Sequence, residues 1–158
     1  MAEIPKKMKE FNPVALKIFE HLYEAFPEPI DVKSDSFNLE IISDDSTAEE
    51  DGFNERVIAE STLKWLATEG FLRYETSSFG GVFHNVQLTL KGLTILGSVP
   101  ASLSQNEVPE PMIKKIKSAL AKGTNKAAEE SVKSVLYEVL KIAYHTSVAA
   151  FSSGIITL

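Results

Sequence analysis

The stretch STLKWLATEGFLRYE, Ser61 to Glu75, joins a helix to a β-strand through a glycine. Thr62, Leu63 and Leu66 recur at helical spacing, extended backwards by Ala59 and flanked by Ile58 and Trp65. Gly70 stands where a helix ends on a left-handed residue. Phe71 and Leu72 then open an apolar strand, and the next run, SSFGGVFHNVQLTL, completes a hairpin signal with its tip at Ser77 to Gly81. In that second strand Val82, Val86, Leu88 and Leu90 alternate towards one face, with His84 beside them.

Upstream, Asn12 is a capping residue and Pro13 suits a first helical position, predicting a helix from there. Its inner face is Ala15, Ile18, Phe19, Leu22, Tyr23 and Phe26, and Pro27 and Pro29 stop it. Phe37, Leu39 and Ile41 alternate as in a short strand. Ser46 with Glu49 forms a capping-box pattern for a short helix, followed by a second helix from Asn54. Downstream, TLKGLTILG is a short helix ended by Gly97 and Pro100.

Leu63, Leu66, Gly70, Phe71 and Leu72, followed by VQLTLKGLTIL from Val86 to Leu96, together resemble the winged helix-turn-helix family. The first group is similar to its L-x-x-L-x-x-x-G-hydrophobic helix end, the second to its wing strand running into L-T-x-K-G. The resemblance spans residues 11–98. It implies a mainly α fold with a small β-hairpin, of α+β class, and a regulatory module that binds DNA through the second helix of the pair. The outward face of that helix carries Glu55, Arg56, Glu60, Ser61 and Lys64. Arg56, Ser61 and Lys64 are therefore candidate nucleic-acid contacts, or else a solvated helix face. Arg73 lies at the base of the hairpin, and the wing tip SSFGG has neither Arg nor Lys.

Charge pulls against DNA. The chain carries a net −6, but Phe11 to Pro111 holds 17 acidic residues against 6 basic, and Met112 to Leu158 holds 3 acidic against 7 basic. Nonspecific DNA affinity comes mainly from cations that displace counterions at phosphates. Seven carboxylates lie between Asp44 and Lys64, against Arg56 and Lys64 alone. Any DNA-binding charge is then expected largely from α-helical lysines further on, Lys114, Lys115, Lys117, Lys122 and Lys126. The rival reading is an acidic winged-helix module that associates with protein and does not bind DNA. The run Asp44 to Asp51 fails the calcium-loop pattern, since Thr47 would occupy the first ligand position. It reads as a solvated loop or as a docking surface for a basic protein partner.

Residues 99–111 hold three prolines among polar residues and read as a linker. Residues 112–158 read as a helical appendage broken at Gly123. Its last helix repeats Ala128, Val132, Val135, Val139, Ile142, Thr146 and Ala149, widened by Leu136, Leu140 and Ala143. Such a stripe must be covered. It folds back on its own domain, pairs with a second copy or lies on a membrane surface, the last disfavoured by Glu129, Glu130 and Glu138 among the lysines. The resemblance leans towards a homodimer, with Val132, Val135, Leu136, Val139 and Ile142 as its seam. Phe79, an aromatic beside two glycines at a turn tip, either packs back on the hairpin or anchors a partner.

With no cysteine there is no disulfide, thiolate metal site or cysteine nucleophile. His21, His84 and His145 have no acid or nucleophile at motif spacing, and there is no G-x-S-x-G, Gly-rich phosphate loop or H-E-x-x-H. The sequence thus points to no catalytic, cofactor or metal site. The N-terminus lacks a secretory pattern and the uncharged stretch Ile142 to Leu158 is too polar to span a bilayer, so a cytoplasmic protein is expected.

Overall fold

The computed structural model describes residues 5–37, 48–98, 110–123 and 125–152, with no side chains for 48–55 and 146–152. Among these the chain is mainly helical with a small antiparallel sheet, an α+β arrangement. The order is α1 (Lys6–Ala25), β1 (Ile30–Lys33), a 3-10 turn (Ser34–Ser36), α2 (Ala48–Thr68), β2 (Leu72–Arg73), β3 (Thr76–Ser78), β4 (Val82–Leu88), α3 (Leu90–Gly97), α4 (Met112–Ala121) and α5 (Lys126–Ser152).

The helix α2 ends as its sequence predicts. Gly70 takes φ +85°, the Phe71 amide donates to Leu66 O and the Gly70 amide to Ala67 O. This is the paired bond pattern of a glycine-terminated helix. Buried Leu66 and Phe71 make the accompanying apolar contact positions. Ala59, Thr62, Leu63 and Leu66 form the buried face as expected.

Four local expectations are corrected. The helix α1 starts at Lys6 and not at Asn12, so Pro13 lies inside it and Asn12 is buried with Oδ1 unpaired. Tertiary contacts hold the extra turns: the Phe11 ring meets Trp65 edge-on at 5.5 Å, and Lys9 pairs with Glu129 at 4.0 Å. Next, α2 is one helix of 21 residues, with no break near Gly52. An internal glycine costs only about 1 kcal/mol against alanine, less than the buried turns after it supply. Phe37 follows a 3-10 turn and is buried, while the rest of the expected strand to Ile41 lies outside the described residues. The strand that joins the sheet is β1, upstream of it.

The fourth lies in the phase of β4. β4 is the central strand, paired with β1 on one side and with β2 and β3 on the other. Ile30 faces Val86 but Val32 faces Phe83, so His84 and Asn85 together oppose Asp31. This is a β-bulge, and Asn85 takes φ +55°. The alternation slips by one at that point. Phe83, Val86 and Leu88 are buried, Val82 and His84 are half-buried, and Leu90 is exposed.

α5 does not present a free apolar seam. Its Ala128, Val132, Leu136, Val139 and Ala143 are buried, and Val135, Leu140 and Ile142 are partly buried, against α1, α3 and α4. Of the five residues expected as a homodimer seam, Val132, Leu136 and Val139 are buried within the chain, and Val135 and Ile142 are partly so. Thr146 and Ala149 carry no described side chain. Met112 N donates to Ser98 O at 2.8 Å, which ties the start of α4 to the end of α3. Met112, Ile116 and Ala119 then join the core built on α1. α1 is walled by α2 and β4 and also by α3, α4 and α5, which is why Val14, Leu16 and Ile18 are all fully buried.

Leu136→Ala is expected to destabilise the chain by about 2–5 kcal/mol in urea unfolding. A seam residue would instead change sedimentation and leave the unfolding midpoint of the monomer in place.

Candidate functional site

The site that the sequence points to is the surface made by α2 and the hairpin. Thr89 holds the two together from below. Its hydroxyl donates to Gly70 O at 2.5 Å and accepts from the Gly92 amide at 3.1 Å, capping α3. Lys91 Nζ donates to Glu69 O at 2.9 Å and lies 5.0 Å from the Phe71 ring. Gly92 presses against the β2 entry so closely that a Cβ there would stand 2.1 Å from Phe71 O. The T-x-K-G residues that carried the family resemblance are therefore one knot of backbone contacts.

At the far end, the hairpin tip leans on α2 through Gly81. Ser34 N donates to Gly81 O at 2.9 Å, and a Cβ on Gly81 would meet Ser34 Oγ and Glu60 Oε1. Between α2 and the tip runs a groove of about 260 Å³ lined by Arg56, Glu60, Lys64, Ser77, Phe79 and Phe83 among others. Phe79 at its rim has a relative exposure of 106%. Of the two placements expected for this residue, packing back on the hairpin is not the one observed.

The structure brings Arg56, Lys64 and Phe79 to this groove and disperses the other candidates. Arg56 is paired with Glu60 at 3.8 Å. Ser61 and Lys64 are exposed on α2, with Val57 and Trp65 partly exposed beside them. Arg73 is the second residue of β2 and bonds Gln87 Oε1 through Nε and Nη2, at 3.2 and 2.7 Å. The α4 lysines are elsewhere. Lys115 pairs with Glu138 at 3.2 Å and Lys117 with Glu24 at 2.8 Å, while Lys114 is exposed. The Lys117 bond holds the Glu24 carboxyl below its usual range, and the same bond raises the Lys117 ammonium above its own. Lys122 Nζ donates to Ser131 Oγ.

A second polar array escaped the sequence. Asp31 on β1, His84 on β4 and Ser78 on β3 meet across three neighbouring strands, Ser78 reaching His84 diagonally because it pairs with Val82 while Thr76 pairs with His84. Ser78 Oγ is 3.1 Å from His84 Nε2, and His84 Nδ1 is 3.3 Å from Asp31 Oδ2. The Asn85 amide donates to Asp31 Oδ1 at 3.2 Å, and this bond, followed by that from His84, depresses the Asp31 pKa. No spacing rule could find a set whose members are 47 and 6 residues apart along the chain. The one local hint was His84 with a hydroxyl two strand steps away on the hairpin.

Among the described residues no group of three or more His, Asp or Glu could hold a metal ion, and no helix is long and apolar enough to cross a membrane. Compared with protein families, curated proteins and solved structures, the chain has no match.

Gly92→Ala is expected to lower stability by more than about 2 kcal/mol, beyond the gain a glycine-to-alanine change gives in an open helix. Phe79→Ser should leave the unfolding midpoint within about 0.5 kcal/mol of the parent, as for other surface substitutions. Both are read from urea titration by circular dichroism.

Proposed function

We propose that residues 11–98 act as a winged-helix unit devoted to protein association, with α2 and the hairpin tip as the contact surface. The element order, the glycine-terminated α2 and the Thr89–Gly92 knot support the winged-helix reading. The short helix read from Ser46, the first of the family's pair, is continuous with α2 from Ala48, so the described residues hold one helix where that family has two. The observation that carries protein association is Phe79, wholly exposed at the rim of the groove beside α2. A solvent-facing aromatic next to a concave surface is the kind of anchor that dominates protein interfaces.

The same geometry disfavours a phosphate backbone. The tip offers no cation, Arg56 faces Glu60, and Lys115 and Lys117 face carboxylates of their own chain. Each phosphate neutralised contributes roughly 0.9 to the slope of log affinity against log salt. Few cations on this surface stand free of a carboxylate to contribute. DNA binding is the second reading, favoured by Ser61 and Lys64 exposed one turn apart on α2.

Titration of fluorescent random duplex DNA at low salt separates the two. No change in anisotropy up to high micromolar chain is expected. Saturable, salt-sensitive binding that Lys64→Ala weakens would establish the DNA reading instead. A photo-crosslinking amino acid at position 79 should give a discrete protein adduct in cells, and the same probe at exposed Leu90 should not. Equal labelling from both sites would remove Phe79 as the anchor.

A further inference from the structure

We propose that Ser78 is an acyl-accepting nucleophile, with His84 as its general base and Asp31 as the residue that positions the base, so that the exposed side of the sheet forms an esterase-type site. It shares Ser78 and Phe79 of the hairpin tip with the protein-association surface but does not rest on that reading.

The roles follow from the bonds. His84 Nδ1 is 3.3 Å from a carboxylate oxygen, which can only accept, so the imidazole proton belongs on Nδ1. That leaves the Nε2 lone pair facing Ser78 Oγ at 3.1 Å, ready to take its proton. Nucleophile, base and orienting acid in hydrogen-bond sequence is the arrangement that activates a serine on many unrelated folds. Asp31 is itself fixed, through the Asn85 amide on its other oxygen. Three paired strands supply one member each, and paired strands hold side chains more closely than loops do. The bulge that turns His84 outward puts Asn85 at φ +55°, a left-handed conformation that Asn adopts readily.

The tip provides the rest. The turn Ser78 to Gly81 is closed by Gly81 N donating to Ser78 O, which leaves the amide of Phe79, the residue after the nucleophile, outside that bond. An amide at this position is a common oxyanion donor in serine hydrolases. Phe79, next in sequence to Ser78, is a wholly exposed apolar side chain at the same tip. Together these features fit small esters with an apolar acyl group, in a site open to water.

The step balances without a cofactor. Ser78 Oγ bonds to the ester carbonyl carbon as its proton passes to His84 Nε2. The tetrahedral adduct collapses, the carbon–alkoxy bond breaks, and the leaving alcohol takes the proton from Nε2. Water then attacks the acyl-serine with His84 again as base, releasing the carboxylic acid and restoring Ser78.

The test uses the full chain and p-nitrophenyl acetate, following nitrophenolate release and, after acid quench, the mass of the peptide bearing Ser78. Acetyl on Ser78 is expected, with loss of at least about tenfold in rate for Ser78→Ala and for His84→Gln, the low end of what a positioned base contributes. Asp31→Asn should lower kcat without raising KM, which a general loosening of the sheet would not do. His21→Gln and His145→Gln should change neither rate nor adduct. A fluorophosphonate probe on the unsubstituted chain gives the same answer without any variant: phosphonylation at Ser78 is expected. A rate unchanged in Ser78→Ala, or adducts confined to lysines and other histidines, overturns the proposal and leaves the array as a polar tie across the bulge.

Discussion

The contact between Gly92 and the carbonyl of Phe71 governs the rest of the fold. With a Cβ excluded at 2.1 Å, α3 can begin only where the chain leaving α2 also begins its strand. Thr89 spans the same gap, bonded at once to the α2 turn at Gly70 and to the first turn of α3. From this junction the hairpin must run back along α2, which brings its tip to Arg56, Glu60 and Lys64. The groove and the exposed Phe79 are thus consequences of backbone packing some distance away. Gly81 closes the other end, where Ser34 Oγ and Glu60 approach its bare Cα.

Charge follows the same logic. The C-terminal 47 residues carry the basic excess and the preceding part the acidic one. Folding α4 and α5 onto α1 puts the two together. Lys117 reaches Glu24 on α1, while Lys9 on α1 reaches Glu129 on α5, and Lys115 meets Glu138 within the pair α4–α5. Exposed pairs of this kind contribute little stability. Their consequence is for binding: each engages a cation that would otherwise extend a positive field to a polyanion. The apolar stripe of α5 is likewise engaged at home, since α1 needs a second wall for Val14, Leu16 and Ile18.

The sequence was legible where structure is local. Gly70, the hairpin tip and the buried face Ala59–Leu66 each depend on residues within one or two turns of one another, and each reads correctly. Legibility fails where a distant contact decides. Asn12-Pro13 has the chemistry of a helix start, but Phe11 on Trp65 and Lys9 on Glu129 carry the helix back to Lys6. The α5 stripe says only that it must be covered, and the length of α1 free to cover it is not written within α5. Of the candidate contacts, Arg56, Lys64 and Phe79 converge because they share one helix and its hairpin. Arg73 and the α4 lysines came from the same charge argument but have no element in common with that groove.

The bulge in β4 joins these strands of argument. In a regular strand with Val86 and Leu88 inward, period two would also send Val82 and His84 inward. An imidazole would then take a core position, where burial without a partner is costly. One extra residue, Asn85, lets Phe83 take that core position instead and turns His84 towards solvent. The turned ring meets Asp31 on one neighbouring strand and Ser78 on the other. Asp31 in turn accepts the Asn85 amide, so the residue that creates the bulge also fixes the carboxylate that orients the histidine. A single insertion therefore solves a packing problem and assembles the only serine–histidine–carboxylate row among the described residues.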